Sequence, residues 1–231
     1  MMRLDLHIHS KYSMDSLLDS TSIIKSSIQK KLDGIAVTDH NTILGAKKTF
    51  QENKNRLSVI VGSEIRTEAG DLIGLFLNEE IKSRSSLEAL DEIRSQGGLS
   101  VLPHPFKGHP ANERMRELLR KVDCIELLNS RAPTTAKQRQ TLSLYGRSFV
   151  AGSDAHLQKE IGLCQTIIKT ETQDVDIIKK SILTKDKTLL CLKYSPKYNE
   201  DLSQFIGNIR QKQYSAFLPR SLSFIKNLAA N

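Results

Sequence analysis

The 231-residue chain contains no apolar run long enough to cross a bilayer, and its opening stretch, MMRLDLHIHS, lacks the apolar core of a secretory signal. Both absences point away from a membrane partner and towards a cytoplasmic protein. Cysteine is scarce: Cys124, Cys164 and Cys191 are odd in number and far apart, each in an apolar stretch (CIELL, GLCQTII, LLCLKY). No two lie close enough for a zinc ribbon, so the expected state is three buried thiols in a reducing compartment. Internal repeats and low-complexity segments are also missing, which leaves a single domain with a short appendage. A fold of this length buries enough apolar surface to need no stapling. A bound metal is therefore expected to be catalytic rather than structural.

Acid is in short supply relative to base. The net charge of +8 suits an anionic substrate such as a phosphate ester or an oligonucleotide, although many basic proteins carry their charge without function. Along the chain, apolar strand-like segments (LDLHI, GIAVT, LSVIVG, DLIGLFL, LSVLP, DCIELL, SFVAG) alternate with helix-like stretches around 20–31, 43–54, 86–96, 111–121 and 134–145. That alternation predicts βαβ units and a mainly parallel sheet. The link between the third and fourth strands is too short for a helix and predicts a hairpin. Asp19 or Ser20 is placed to cap the first helix, Gly97-Gly98 to end the third, and Pro133-Thr134-Thr135 to start another. A short strand at 165–169, a helix at 173–184 and a strand at 189–194 follow. Residues 1–195 form the predicted domain, and 196–231 an extension expected to be helical and packed on it.

Histidine is rare but placed with a pattern. Of six, five fall where a predicted strand ends: His7, His9, His40, His104 and His156. Only His109 does not. Active sites of parallel α/β folds lie at that rim. In DLHIHS, His7 and His9 are two residues apart on an extended strand and face the same way, a spacing at which two imidazoles grip one cation. Asp15, in the loop that follows, is within reach of the same region. VTDHN sets Asp39 and His40 after GIAV. GSE sets Glu64 after SVIVG, and a carboxylate can bridge two cations through its two oxygens. Asp71 opens the next strand and is able to turn inward. His104 stands between two prolines in LPHPF, and GSDAH places Asp154 and His156 just past SFVAG. Each motif alone has a bland account as a turn, a solvated acid or a packed ring. That account must be invoked five times, always at a strand end, so a metal cluster explains the pattern better. Mixed histidine and carboxylate donors without thiolates suit Zn, Mn or Fe.

The ordered set HIHS…D, TDHN, GSE, HP and GSDAH, spanning about residues 3–165, resembles the PHP (polymerase and histidinol phosphatase) superfamily, whose stand-alone members are metal-dependent phosphoesterases. The resemblance implies an α/β fold, a distorted (β/α)7 barrel with a short C-terminal extension, and two or three divalent cations (Mn, Zn or Fe). It assigns His7, His9, Glu64 and Asp154 to a first metal. Glu64 bridges to a second, which His104 also holds, and Asp15, His40 and His156 hold a third. At the remaining second-metal position many relatives have a histidine. Asp71 is the best candidate here, and this departure leaves that position's filling open. Glu126 and Asn129, in IELLNSR, match a segment lining the site, with Glu126 as much a support for a ligand as a ligand.

The implied chemistry is phosphate-ester hydrolysis, on a phosphomonoester or phosphodiester of a small phosphorylated molecule or nucleotide. A water between two cations becomes hydroxide and attacks phosphorus in line, and basic side chains stabilise the equatorial oxygens. Arg131 is the first choice for the phosphate contact, ahead of Arg66 and Lys11; Ser10 is a further donor that also serves as a turn cap. Asp39, His156 or a metal-held water are the choices for the leaving-group acid. An exonuclease acting on short oligonucleotides is the first alternative. It draws on the net charge and on the tail, which has no acid after Asp201 but carries Arg210, Lys212, Arg220 and Lys226 among Phe205, Tyr214, Phe217 and Phe224. A helix packed on the barrel is the plainer reading of that tail. An amidohydrolase, which commonly bridges its metals with a modified lysine, fits Glu64 less well. A non-catalytic PHP module fits the near-complete ligand set poorly. The sequence carries no clear oligomerisation signal.

Overall fold

The structure, a computed structural model, describes residues 1–107 and 113–212. His109 and the tail residues Tyr214, Phe217, Arg220, Phe224 and Lys226 lie outside that range. The strands are β1 (Met2–Ile8), β2 (Gly34–Val37), β3 (Ser58–Thr67), β4 (Gly70–Leu75), β5 (Leu99–Leu102), β6 (Cys124–Asn129), β7 (Ser148–Gly152), β8 (Cys164–Ile168) and β9 (Lys187–Cys191). The helices are α1 (Ser20–Gln29), α2 (Leu44–Glu52), α3 (Ser86–Ser95), α4 (Glu113–Lys121), α5 (Ala136–Ser143), α6 (Val175–Leu183) and α7 (Lys197–Arg210).

Helix ends follow local chemistry. The Asp19 carboxylate accepts from the Ser22 amide at 2.7 Å and satisfies one of the open amides at the start of α1. Gly97, at φ +69°, stops α3, and the Gly98 amide donates back to the Ile93 carbonyl at 2.9 Å. At α5 the cap is Thr135, which exchanges hydrogen bonds with Gln138 in a capping box.

The strands join in one sheet, in the order β7-β6-β5-β4-β3-β2-β1-β8-β9. Of its eight pairings, only β1–β2, β2–β3, β5–β6 and β6–β7 are parallel. The sheet is thus half antiparallel among the described residues, not mainly parallel. The reason is local: Glu68 and Ala69 alone join β3 to β4 and reverse the chain, β8 runs back along β1, and β9 reverses again on β8. β7 returns to β1 and β8 and nearly closes the barrel. The His9 amide donates to the Ala155 carbonyl at 2.9 Å, and the Ala151 amide to Thr166 Oγ1 at 2.8 Å. One apolar cluster takes Leu4, Ala36, Ile60, Ile73, Val101, Cys124 and Val150, a residue from each of β1 to β7. One cluster that draws on every strand from β1 to β7 fits the interior of a nearly closed barrel. Ile178 and Ile182 of α6 join this cluster. The distorted barrel and the seven helices are those the resemblance implied; β8 and β9 bring the described strands to nine.

The thiol expectation needs correction. Cys164 and Cys191 are directly opposite on β8 and β9, with Cα atoms 4.1 Å apart, and form a disulfide across 27 residues of sequence. Strand pairing brought them together, and their spacing in sequence hid it. Cys124 is free and buried, and burial pushes its thiol up to about 12. No helix among the described residues is long and apolar enough to cross a membrane.

Candidate metal centre

Five histidines and four carboxylates converge at the C-terminal rim of the parallel strands. β1 presents His7 and His9 to one side, with their Nε2 atoms 3.0 Å apart. Glu64 Oε2 lies 3.6 and 3.3 Å from these two nitrogens, and Asp154 Oδ1 lies 3.6 and 3.4 Å from them. Four donors placed tetrahedrally about one cation at 2.0–2.2 Å stand roughly 3.3–3.6 Å apart, so the carboxylate-to-imidazole separations here describe a ready-made cation hole. Glu64 reaches it because β3 outruns β2. Past Val61 the strand pairs with β4, and Glu64 meets His40 in an isolated bridge.

The partners behind the rings assign their tautomers. His7 Nδ1 faces Glu126 Oε1 at 3.0 Å, an atom that only accepts, so Nδ1 carries the proton. Ser13 Oγ donates to Asp39 Oδ1 at 2.8 Å, and therefore accepts from His9 Nδ1 at 3.1 Å. With Nδ1 of each ring carrying a proton, the two Nε2 atoms face each other at 3.0 Å with carboxylate oxygens around them. Two imine nitrogens facing at 3.0 Å need positive charge between them, a proton in the metal-free protein or a bound cation. Glu64, Asp154 and both rings are almost fully buried. Burial pulls the His7 imidazole down, but Glu126, Asp154 and Glu64 outweigh it and hold the ring well above its ordinary range. Burial likewise opposes ionisation of Glu64 and Asp154. His7 and His40 nevertheless keep Glu64, and Lys107 and His7 keep Asp154, well below the usual carboxylate range. A proton fills the role that a metal ion would take.

The other oxygen of Glu64, Oε1, lies 3.0 Å from His104 Nε2, so its two oxygens serve two different groups, as a bridging carboxylate requires. Asp71 joins Glu64 and His104 within 4.8 Å. Its carboxyl is raised by burial and by the neighbouring Glu64. His104 sits at φ +29° and Asp154 at φ +57°, backbone that non-glycine residues rarely adopt and that concentrates at functional sites. The Glu126 carboxylate holds the His104 amide at 3.1 Å as well as the His7 ring. It acts behind the ligands rather than among them. Gly152 is obligatory: a Cβ there would fall 2.4 Å from His7 Cβ.

A third set lies beside these. Asp15 Oδ2 is 3.5 Å from His40 Nε2 and 3.2 Å from His156 Nε2. His156 Nδ1 donates to the Asp154 carbonyl at 2.9 Å, which leaves a bare Nε2 aimed at the carboxylate. Asp15 Oδ1 is buried with no hydrogen-bond partner among the described residues. Burial, with His9 and Arg131 nearby, pulls His156 down to about 4. Burial alone would lower His40 as well, but Glu64 and Asp15 hold it up to about 10. The three donor groups are of a chemistry that fits divalent cations, and the structure brings the residues of each group within reach of one another.

Three sequence expectations change. Asp39 is fully buried and accepts from the amides and hydroxyls of Ser10 and Ser13, so it is a clamp on the loop after β1 and not a leaving-group acid. The same clamp takes the Ser10 hydroxyl. His156, with Nδ1 committed to the Asp154 carbonyl and its pKa pulled down to about 4, is placed to offer Nε2 to a cation rather than to donate a proton. Arg131 lines the cavity, yet its Nε and Nη2 are bound to Glu160 at 3.0 and 2.6 Å. Glu160 went unnoticed in the sequence because its side-chain partners, Arg131 and Ser195, are 29 and 35 residues away. It also accepts from the His156 and Leu157 amides and the Ser195 hydroxyl. Lys107 was missed as well, although it stands only three residues after His104. Its ammonium lies 3.4 Å from Asp154 Oδ2 and 3.5 Å from Glu200 Oε1. Burial disfavours that charge, but the two carboxylates hold it above its ordinary range. A cavity of about 270 Å³ opens over the three sets, with Arg66, Lys107 and Arg131 on its wall and Glu200, Ser203 and Gln204 of α7 along one side.

The PHP domain profile matches residues 5–227. The chain belongs to the PHP domain family. Two uncharacterized proteins of Methanocaldococcus jannaschii are similar to this PHP domain. MJ0417 is 37% identical over 175 residues, 70% of this chain and 68% of that protein. MJ1587 is 43% identical over 117 residues, 46% of this chain and 68% of that protein. Among solved structures, a two-domain protein of Bacteroides vulgatus, described as containing a predicted PHP-like metal-dependent phosphoesterase, superposes with a TM-score of 0.72 at 18% identity. The match covers 82% of this PHP domain but 64% of that protein, and it establishes a shared fold.

Proposed function

We propose that this PHP domain is a metal-dependent phosphoesterase that hydrolyses a phosphate ester of a small molecule or nucleotide. The observation that carries this reading is the facing pair of His7 and His9 Nε2 atoms, ringed by Glu64 and Asp154, with Glu64 reaching on to His104. Cations bound there, Mn, Zn or Fe, would acidify a water and stabilise charge on the phosphoryl oxygens. His7, His9, Glu64 and Asp154 would hold the first, Glu64, His104 and Asp71 the second, and Asp15, His40 and His156 the third.

The rest of the work falls to the protein. Glu126, Ser13 and Asp39 fix ring orientation and tautomer. Lys107 stands beside Asp154 and Glu200 with its side chain 31% exposed to the cavity, and supports anion binding better than Arg131, which is buried against Glu160. A cavity of about 270 Å³ suits a phosphoryl group with a compact leaving group, which favours a small substrate over an oligonucleotide. The deciding experiment is hydrolysis of p-nitrophenyl phosphate, its bis-ester and a short labelled oligonucleotide with Mn²⁺, Zn²⁺ or a chelator. Chelator-sensitive turnover supports the proposal, and the preferred substrate separates phosphatase from nuclease. Metal binding without turnover on any of them overturns the general phosphoesterase reading in favour of a non-catalytic module.

A further inference from the structure

Helix α7 touches three walls of the site at once. Glu200 pairs with Lys107 at 3.5 Å, Ser203 Oγ accepts from Arg131 Nη2 at 2.8 Å, and Arg210 reaches the loop that carries Asp15. The last contact is the most unusual. Arg210 Nη1 donates to the carbonyls of Ser13 at 2.8 Å, Ser16 at 2.9 Å and Met14 at 3.4 Å, and Nη2 donates to that of Lys11 at 2.8 Å. Four carbonyls of one irregular loop thus converge on one guanidinium, whose planar fork can serve several acceptors where an ammonium is a single point. One turn earlier, the Gly207 backbone lies against Asp15: a Cβ there would sit 3.4 Å from Asp15 Cβ and 3.7 Å from its Cα.

Asp15 needs such support. Its Oδ1 has no hydrogen-bond partner among the described residues, and its Oδ2 meets only the imidazoles of His40 and His156. Among the described residues no neutral donor aims this carboxylate, so its direction is set by where the loop backbone runs. The loop's first half is clamped by Asp39 through Ser10 and Ser13. Ser16 ties the far side by donating to the carbonyls of His9 and His156. Between Ser13 and Ser16, around Asp15 itself, the external hold comes from α7.

We infer that Arg210 is a positioning residue: through the carbonyls of Lys11, Ser13, Met14 and Ser16 it aims Asp15, and so makes filling of the Asp15, His40 and His156 position depend on helix α7. This rests on the metal-site reading above. It makes α7 part of the metal centre, although its residues donate nothing to a cation.

The test is metal stoichiometry and affinity, by elemental analysis and Mn²⁺ titration. It compares wild type, Arg210→Ala, Arg210→Lys, Asp15→Asn and the Asp15→Asn/Arg210→Ala double variant, with folding checked by circular dichroism. Wild type is expected to hold three ions and Asp15→Asn two. Arg210→Ala should bind the third ion at least about tenfold more weakly, the usual scale for removing a group behind a ligand, with Arg210→Lys in between. Because Arg210 acts through Asp15, adding Arg210→Ala to Asp15→Asn should cost no further ion. Wild-type affinity for the third ion in both Arg210 variants overturns the inference. So does further ion loss in the double variant, which would make Arg210 a general support of the fold. A wild type that holds only two ions overturns the inference and leaves the paired site standing; a wild type that holds none overturns the metal reading itself.

Discussion

The two ends of the metal centre are built differently. The cluster of His7, His9, Glu64 and Asp154 is almost fully buried and sits on strands or directly at their ends, and side chains of Glu126 and Ser13 lock its rings. At the other end, Asp15 and His40 are 24% and 17% exposed at the side chain and lie outside the strands, and the loop around Asp15 has its carbonyls held by Arg210 of α7. Rigid strands deliver donors to within tenths of an ångström. Loops need a second layer to do so. The first end is therefore expected to bind tightly and tolerate little change. The second should lose its ion more readily and set how many of the positions are filled.

Breaking the buried end should have the largest effect. His9→Ala or Asp154→Ala should abolish turnover and remove metal from the paired site while the circular dichroism spectrum stays native-like. Turnover near wild type in either variant would remove the cluster from catalysis. Removing the support but not the ligand should cost less. Glu126→Gln keeps the shape but weakens the acceptor behind His7, so metal affinity at that end should fall roughly 10–100-fold, read by chelator competition. Unchanged affinity would show that β1 alone orients the ring.

The two cations on the cavity wall are expected to part company. Arg131 and Glu160 are buried to within 3% and 0% exposure. Arg131→Ala strands a carboxylate and should cost about 3–5 kcal/mol of stability, measured by denaturant unfolding. Lys107→Ala should instead raise KM for phosphorylated substrates with little loss of stability. If Arg131→Ala raises KM without destabilising the fold, the roles given to the two residues are reversed.

The smallest effect concerns pH. The metal-free protein holds His40 up to about 10, so this ring contributes stability that is complete below its ordinary 6.5 and is lost as the pH rises through 10. His156 has the opposite sign: pulled down to about 4, it costs stability as the pH falls below 6.5. The Tm of chelator-treated protein should therefore fall as the pH is raised from 6.5 towards 10. Saturation with Mn²⁺ should flatten that slope, because the ion replaces the proton. A metal-free Tm that is flat across this window would show that the carboxylates do not hold His40 charged.

The sequence by itself determined what depends on neighbours a few residues apart. The two-residue spacing of His7 and His9, the caps at Asp19 and Gly97, the hairpin at Glu68 and Ala69, and the placing of His40, His104 and His156 just past strands all follow from local backbone geometry. The site was legible because strand ends in such a fold share one rim, so short motifs scattered along the chain arrive together. Only the tertiary structure decided the partners. The Cys164–Cys191 bond, the Arg131–Glu160 pair, the Lys107 bridge to Glu200 and the grip of Arg210 on the Asp15 loop join residues 27 to 199 positions apart. No periodicity records such pairings. They arise when packing brings two buried charges, or an open carbonyl and a donor, to a place where leaving either alone would cost more than their contact.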